Sequence, residues 1–243
     1  MPPRQRADRL LVERGLFESR AKAQAAIAAG LVTADAAPVR QPSEEIAVDA
    51  ALRATPAFAW VSRGGVKLAG ALDRFGLDVA GRVCLDVGAS TGGFTEVLLA
   101  RGARRVYAVD VGTGQLHARL RERPEVVSME ETDIRTLDPA AFAERPSIVT
   151  VDVSFISLKL VLPAALALAA RPADVVALIK PQFEVPRPEN KKGIVRSAEV
   201  HRRVCDDIVS FAPSLGLARI TLCESEITGG DGNREFFLGA HLG

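Results

Sequence analysis

Long apolar runs, a cysteine framework and a strong net charge of either sign are all missing from this 243-residue chain. The longest uncharged apolar stretch, Leu160 to Ala170, is 11 residues long and contains Pro163. A helix crossing a bilayer needs about 18 or more, so a membrane-spanning pore is disfavoured. Met1-Pro-Pro-Arg-Gln-Arg leads straight into a charged helical pattern, without the apolar region and small-residue cleavage site of a signal peptide. The expected location is the cytoplasm. Cys84, Cys205 and Cys223 are few, odd in number and far apart. That suits free thiols in a reducing compartment better than disulfides. His117, His201 and His241 are equally scattered, no Cys or His falls at metal-ligand spacing, and no metal is expected. Lys and Arg number 31 against 30 Asp and Glu, so the chain as a whole does not advertise nucleic-acid binding. Any such function must rest on local asymmetry.

What is present is ordinary globular composition, 48% hydrophobic and 25% charged, enough for one large domain or a large one with a small one. Residues 4 to 60 differ from the rest. Arg6-Ala-Asp-Arg-Leu-Leu-Val-Glu-Arg-Gly-Leu carries apolar residues at helical spacing and stops at Gly15; a second helix opens at Ser19, a good N-cap, and runs to Gly30. Leu31 to Val39 and Glu45 to Val48 read as short strands around a Pro-containing turn. Between Met1 and Lys22, six basic residues (Arg4, Arg6, Arg9, Arg14, Arg20, Lys22) face three acidic ones (Asp8, Glu13, Glu18), a local excess of +3. On charge alone this is a solvated helix face or a nucleic-acid surface.

From Val61 onward, short apolar runs alternate with amphipathic helices. Strands are predicted at 82–87, 105–110, 126–129, 147–151, 174–179, 218–223 and 235–241, and helices at 64–76, 93–101, 115–121, 158–170 and 197–214. Such alternation predicts an α/β fold: a seven-stranded, mainly parallel sheet with helices on both faces, and ligands at the carboxyl ends of the strands. The first strand runs into Asp86-Val-Gly88-Ala-Ser90-Thr91-Gly92-Gly93. A glycine-rich turn there lets backbone approach a ligand. Neither the Gly-x-Gly-x-x-Gly fingerprint nor the Gly-Lys-Ser/Thr of a phosphate loop is present, which weakens both of those nucleotide readings. Asp110 closes the second strand, where a carboxylate can accept from vicinal ribose hydroxyls; Asp133, just past the third, could meet an adenine amino group. Asp152 ends the fourth strand and Lys180 the fifth, on the same ligand-bearing edge.

The set Asp86, Gly88, Asp110 and Asp133 resembles the S-adenosylmethionine site of class I methyltransferases. Arg9-Leu-Leu, Gly15-Leu, Ser19-Arg20, Ala23, Ile27 and Gly30-Leu-Val resemble the alpha-L RNA-binding module. Five further blocks, Trp60 to Leu68, Leu85 to Thr95, Asp152 to Leu158, Lys180 to Glu184 and Gly232 to Leu238, are similar to the FtsJ-type ribose 2′-O-methyltransferases, and the whole chain resembles the TlyA family, also known as haemolysin A. The resemblance implies an RNA-binding domain over 1–55, a linker over 56–62 and a methyltransferase domain over 63–243. It implies S-adenosylmethionine as cofactor, held by Asp86, Gly88, Ser90, Thr91, Gly92, Gly93, Asp110, Asp133 and Asp152, and a catalytic set of Lys67, Asp152, Lys180 and Glu235. The expected reaction is transfer of a methyl group to a ribose 2′-hydroxyl, a cytidine by resemblance, in ribosomal RNA, with the large subunit favoured. Lys180 is the expected proton acceptor, Lys67 stands beside it, and Asp152 and Glu235 orient the ammonium groups. Only the resemblance places Lys67 there. A last strand running antiparallel, as the class I fold implies, brings Glu235 to the same edge. Expected RNA contacts are Arg4, Arg6, Arg9, Arg20, Lys22, Lys191 and Lys192, with Phe155 either stacking on the target base or filling core. The fourth-strand turn, Asp152-Val-Ser-Phe155, lacks the prolines of amino-group methyltransferases, which argues against an amino target. The rival readings are a non-catalytic assembly factor and a membrane-damaging haemolysin.

Overall fold

The structure, a computed structural model, describes residues 2–186, 190, 193–229 and 231–243. The chain divides into two compact units, Met1–Ala59 and Trp60–Gly243.

In the first unit, β1 (Arg4–Arg6) leads into α1 (Ala7–Glu13), and Ser19 caps α2 (Arg20–Ala28) by accepting from the Lys22 amide at 3.3 Å. Four short strands follow: β2 (Val32–Ala34), β3 (Ala37–Pro38), β4 (Glu45–Ala47) and β5 (Leu52–Ala54). β2 pairs antiparallel with both β3 and β5, while β4 pairs back to β1. Leu10, Leu11, Phe17, Ile27, Val32 and Ile46 form the core. Beside it sits an acid with no exposed surface, Asp8, whose carboxylate accepts from Arg6 Nε (3.1 Å), Arg20 Nη2 (2.7 Å) and Gln24 Nε2 (2.8 Å). A buried carboxylate persists only when paired in this way. The Arg6 guanidinium above all, helped by Arg20 and Gln24, holds its pKa far below the ordinary carboxylate range.

The second unit opens with α3 (Arg63–Phe75), then β6 (Val83–Val87), α4 (Gly93–Ala100), β7 (Arg105–Val109), α5 (Ala118–Arg121) and β8 (Val126–Met129). It continues through β9 (Ile148–Val151), α6 (Leu158–Leu168), β10 (Ala173–Ile179), α7 (Pro181–Glu184), α8 (Ala198–Phe211), β11 (Leu217–Glu224) and β12 (Phe236–Leu242). The seven strands order as β11-β12-β10-β9-β6-β7-β8; β6 to β10 are mutually parallel, and β12 runs antiparallel between β10 and β11. Alternate strand residues point to opposite faces. Leu85, Val87, Val149, Val151 and Val175 therefore pack with α6 and α8, while Cys84, Val106, Val176 and Leu178 pack with α3 and α4. Burial on both faces explains the near-continuous apolar runs of these strands. β6 connects onward to β7 on one side while β9 connects to β10 on the other. The strand order thus reverses between β6 and β9, which opens a crevice at their carboxyl ends.

The helix expected at 115–121 begins only at Ala118. Its first residues are held as a loop, because the Glu130 carboxylate accepts from the amides of Gly114, Gln115 and Leu116 at 3.0, 2.6 and 2.9 Å. The helix expected to reach residue 214 stops at Phe211 and tightens to a 3-10 turn over Ala212–Leu215, where Pro213 can donate no helical hydrogen bond.

Candidate active site

Three strand ends are laced together around the glycine-rich turn. The amides of Gly88 and Ala89 both donate to the Val109 carbonyl, at 2.8 and 3.1 Å, and the Asp152 amide donates to the Val87 carbonyl at 2.8 Å. Gly88 has a φ of +83°, and a Cβ there would stand 2.3 Å from the Asp152 carbonyl oxygen. No other residue lets the β6 turn pass so close to the β9 turn. Beyond them lies a cavity of about 490 Å³, lined by Gly88, Ser90, Asp110, Asp133, Asp152 and Phe155 among others. Asp110 is fixed in its wall by the amides of Ser90 and Gly112, each 2.7 Å away. Asp133 also faces the cavity, but Arg135 occupies both its oxygens and holds its pKa down to about 2.

Four of the expected cofactor residues do not line this cavity. Thr91 is exposed, while Gly92 and Gly93 belong to the turn's packing: a Cβ on Gly92 would meet Leu120 at 2.3 Å, and one on Gly93 would meet Ser62 Oγ at 2.2 Å. The fourth, Asp86, lies beneath the floor with no exposed surface. Thr95 Oγ1 donates to its Oδ2 at 2.7 Å, and Thr150 Oγ1 stands 3.1 Å from its Oδ1. Burial, partly offset by these hydroxyls and reinforced by the nearby Asp152 charge, pushes its pKa up to about 7. The unfolded value is about 3.9, so the native state holds the extra proton between about pH 4 and pH 7. Its contribution to stability is complete below that window and is lost as pH rises through it. Asp86→Asn keeps the shape and removes the titration. Melting temperatures measured between about pH 5 and pH 8 are expected to fall more steeply for wild type than for this variant, by on the order of a few kcal/mol in stability. Parallel curves would mean that Asp86 stays ionised throughout.

The four residues expected to act together meet as two ion pairs. Lys180 Nζ lies 2.6 Å from Asp152 Oδ1 and donates to Ser154 Oγ at 3.0 Å. Lys67 Nζ lies 2.5 Å from Glu235 Oε2. Ile179 pairs with Phe236 across β10 and β12, so the next step of the same register sets Lys180 opposite Glu235. Lys67 comes from α3 and is only 8% exposed; Glu235 is 3% exposed. Phe155 is not core: it is 90% exposed and has a φ of +64°. Its ring lies 4.8 Å from that of Phe183, at 47°.

The basic residues expected to face RNA are mostly occupied within their own unit. Besides the arginines on Asp8, Arg4 donates to the Glu45 carbonyl and Lys22 pairs with Glu18 at 2.6 Å; Arg14, in the same basic run but not among those contacts, donates to the carbonyls of Val48 and Ala50. Arg9 is exposed. The Arg6 and Arg20 side chains keep 38% and 49% of their surface, leaving an outer edge free of Asp8. Lys191 and Lys192 lie outside the described residues.

Several site residues escaped the sequence reading. Glu130, which pins the loop that brings Gln115 into the cavity lining, differs from its neighbour Glu131 by no sequence signal. Ser154, Thr95 and Thr150 read as ordinary hydroxyls.

Residues 60–242 match the FtsJ-like methyltransferase family. The chain is 46% identical over 241 residues to the 16S/23S rRNA (cytidine-2′-O)-methyltransferase TlyA of Mycobacterium tuberculosis, covering 98% of this chain and 90% of that one. It is 36% identical over 180 residues to the 23S rRNA (cytidine-2′-O)-methyltransferase TlyA of Campylobacter jejuni, covering 73% of this chain and 69% of that one. A solved structure from Streptococcus thermophilus, described as a hemolysin, superposes with a TM-score of 0.79 at 42% identity, covering all of this chain and 90% of the other. Among the described residues no helix is long and apolar enough to cross a membrane.

Proposed function

The chain belongs to the FtsJ-like methyltransferase family, as a TlyA-type rRNA methyltransferase, and from that membership we propose that it methylates the ribose 2′-hydroxyl of a cytidine in large-subunit ribosomal RNA. The large-subunit RNA is the substrate that the names of the M. tuberculosis and C. jejuni relatives share. One observation carries the reading: two lysine–carboxylate pairs, Lys180–Asp152 and Lys67–Glu235, at the strand edge that bears the cavity.

The cavity fits S-adenosylmethionine. Its volume of about 490 Å³ lies within the roughly 300–1,000 Å³ of small-molecule sites. Gly88 and Ser90 form one wall, and Asp110, with a fixed carboxylate at the end of the second parallel strand, is placed to take ribose hydroxyls. Asp133 and Asp152 complete the acidic lining. When bound, S-adenosylmethionine supplies a methyl group already activated on a sulfonium. What remains for the protein is to align a ribose hydroxyl and remove one proton. The Lys180 Nζ, aimed by Asp152 and Ser154, takes that proton in its neutral amine form, after its own ammonium proton has been released to solvent. Glu235 holds the Lys67 ammonium close by, opposite Lys180 across the sheet. The N-terminal unit docks on folded RNA through Arg9 and the free edges of Arg4, Arg6 and Arg20, by phosphate contact rather than base reading. Phe155 offers its bare ring to the target base. The enzyme works in the cytoplasm, where its substrate is made.

The direct test is transfer of labelled methyl groups from S-adenosylmethionine to ribosomal subunits from a strain lacking the enzyme. Label is expected in the large-subunit RNA, at a linkage made resistant to alkali because the 2′-oxygen can no longer attack the phosphate. Failure to label either subunit, with RNA binding retained, would replace the catalytic reading with that of an assembly factor.

A further inference from the structure

The loop leaving β9 and the short helix α7 leaving β10 are fastened to each other along their length. At one end Lys180 holds Asp152 and Ser154. In the middle the rings of Phe155 and Phe183 pack at 4.8 Å. At the far end the Glu184 carboxylate accepts from Ser157 Oγ at 2.5 Å and from the Leu158 amide at 2.8 Å. That amide belongs to the first turn of α6 and has no partner within its own helix.

This fastening holds something costly. Phe155 occupies the left-handed region with its ring in solvent, a conformation that an aromatic residue keeps only where its surroundings impose it. A clasp serving stability alone would turn such a ring inward; this one holds it out at the mouth of the cavity. Lys180 is the N-cap of α7, and Phe183 and Glu184 are the helix's last two residues. The five residues Lys180–Glu184 thus carry both the amine and the supports of the exposed ring.

We propose that Glu184 and Phe183 are positioning residues that set the pose of Phe155, so that α7 fixes the distance between the stacked target base and the Lys180 amine. The inference rests on the roles assigned above to Phe155 and Lys180. A nucleotide resting on a displaced ring would still bind, but its 2′-hydroxyl would miss the lysine.

The test uses the full-length enzyme with large ribosomal subunits. Glu184→Ala is expected to lower kcat about tenfold or more, with the melting temperature no more than a few degrees below wild type and the Kd for S-adenosylmethionine within about twofold of it. Glu184→Gln, whose amide oxygen still accepts from Leu158, should recover most of the rate. In combination with Phe155→Ala, the Glu184→Ala change should add no further loss, since both act through the same ring. Multiplying effects, a silent Glu184→Ala, or a loss that tracks cofactor binding would each overturn the positioning role. Should Glu184→Ala fail to fold, Phe183→Ala and the glutamine variant carry the same test. A wild type that labels no RNA would overturn the methyltransferase reading itself, whereas an active wild type with an indifferent Phe155→Ala would overturn only the stacking role on which this proposal stands.

Discussion

Lys180→Ala is expected to slow methyl transfer by about 10²–10⁴-fold, with cofactor affinity and melting temperature close to wild type. The magnitude is that of a positioned proton acceptor, and the location supports the assignment. Nζ sits at the carboxyl end of β10, aimed by Asp152 Oδ1 at 2.6 Å and by Ser154 Oγ at 3.0 Å. Truncation opens the space that the lysine filled beside the buried Asp152 Oδ1, and water entering there can take the place of the ammonium. Lys180→Arg should be nearly as inactive, because a guanidinium keeps its charge and cannot accept the proton. Single-turnover transfer at saturating S-adenosylmethionine separates this loss from any change in binding. A loss under about tenfold would move the proton acceptor to another group.

Much of this site was legible because topology does the placing. Once Val83–Val87, Arg105–Val109, Ile148–Val151 and Ala173–Ile179 are read as buried parallel strands, Asp110, Asp152 and Lys180 must share one edge, being the next residues after three of them. The short strands of the N-terminal unit were harder. Arg4-Gln-Arg and Leu52-Arg-Ala carry no β-branched or aromatic residue, and they become strands only because Glu45–Ala47 and Val32–Ala34 lie alongside.

Side-chain direction was the other gap. Asp86 reads as one more strand-end acid, yet its partners are Thr95, nine residues on, and Thr150, 64 residues on, and they turn it under the floor. The basic run near the N-terminus shows the same limit: its +3 excess takes no account of Asp8, a single buried acid that engages two of the arginines. Lys67 was placed by family resemblance alone, since a helical lysine ordinarily stays in water. Its burial against Glu235, 168 residues away, is a fact of the fold.

That buried pair sets the second large effect. Glu235→Ala is expected to destabilise the larger unit by about 3–5 kcal/mol, because it leaves the Lys67 ammonium buried and unpaired. The melting temperature should then drop by on the order of 10 °C. Lys67→Met strands the glutamate instead and should cost a comparable amount. Replacing both, as Lys67→Met with Glu235→Leu, removes the unpaired charge in either form, and apolar substitutes of similar volume can equal or exceed a buried ion pair in stability. The double variant is therefore expected to melt near wild type and yet transfer no methyl group. Recovered stability without recovered activity would show that the Lys67–Glu235 pair is kept for chemistry at a site where folding alone would accept hydrocarbon. If Glu235→Ala melts like wild type, Lys67 finds water or another carboxylate, and the pair's role narrows to placing charge beside Lys180.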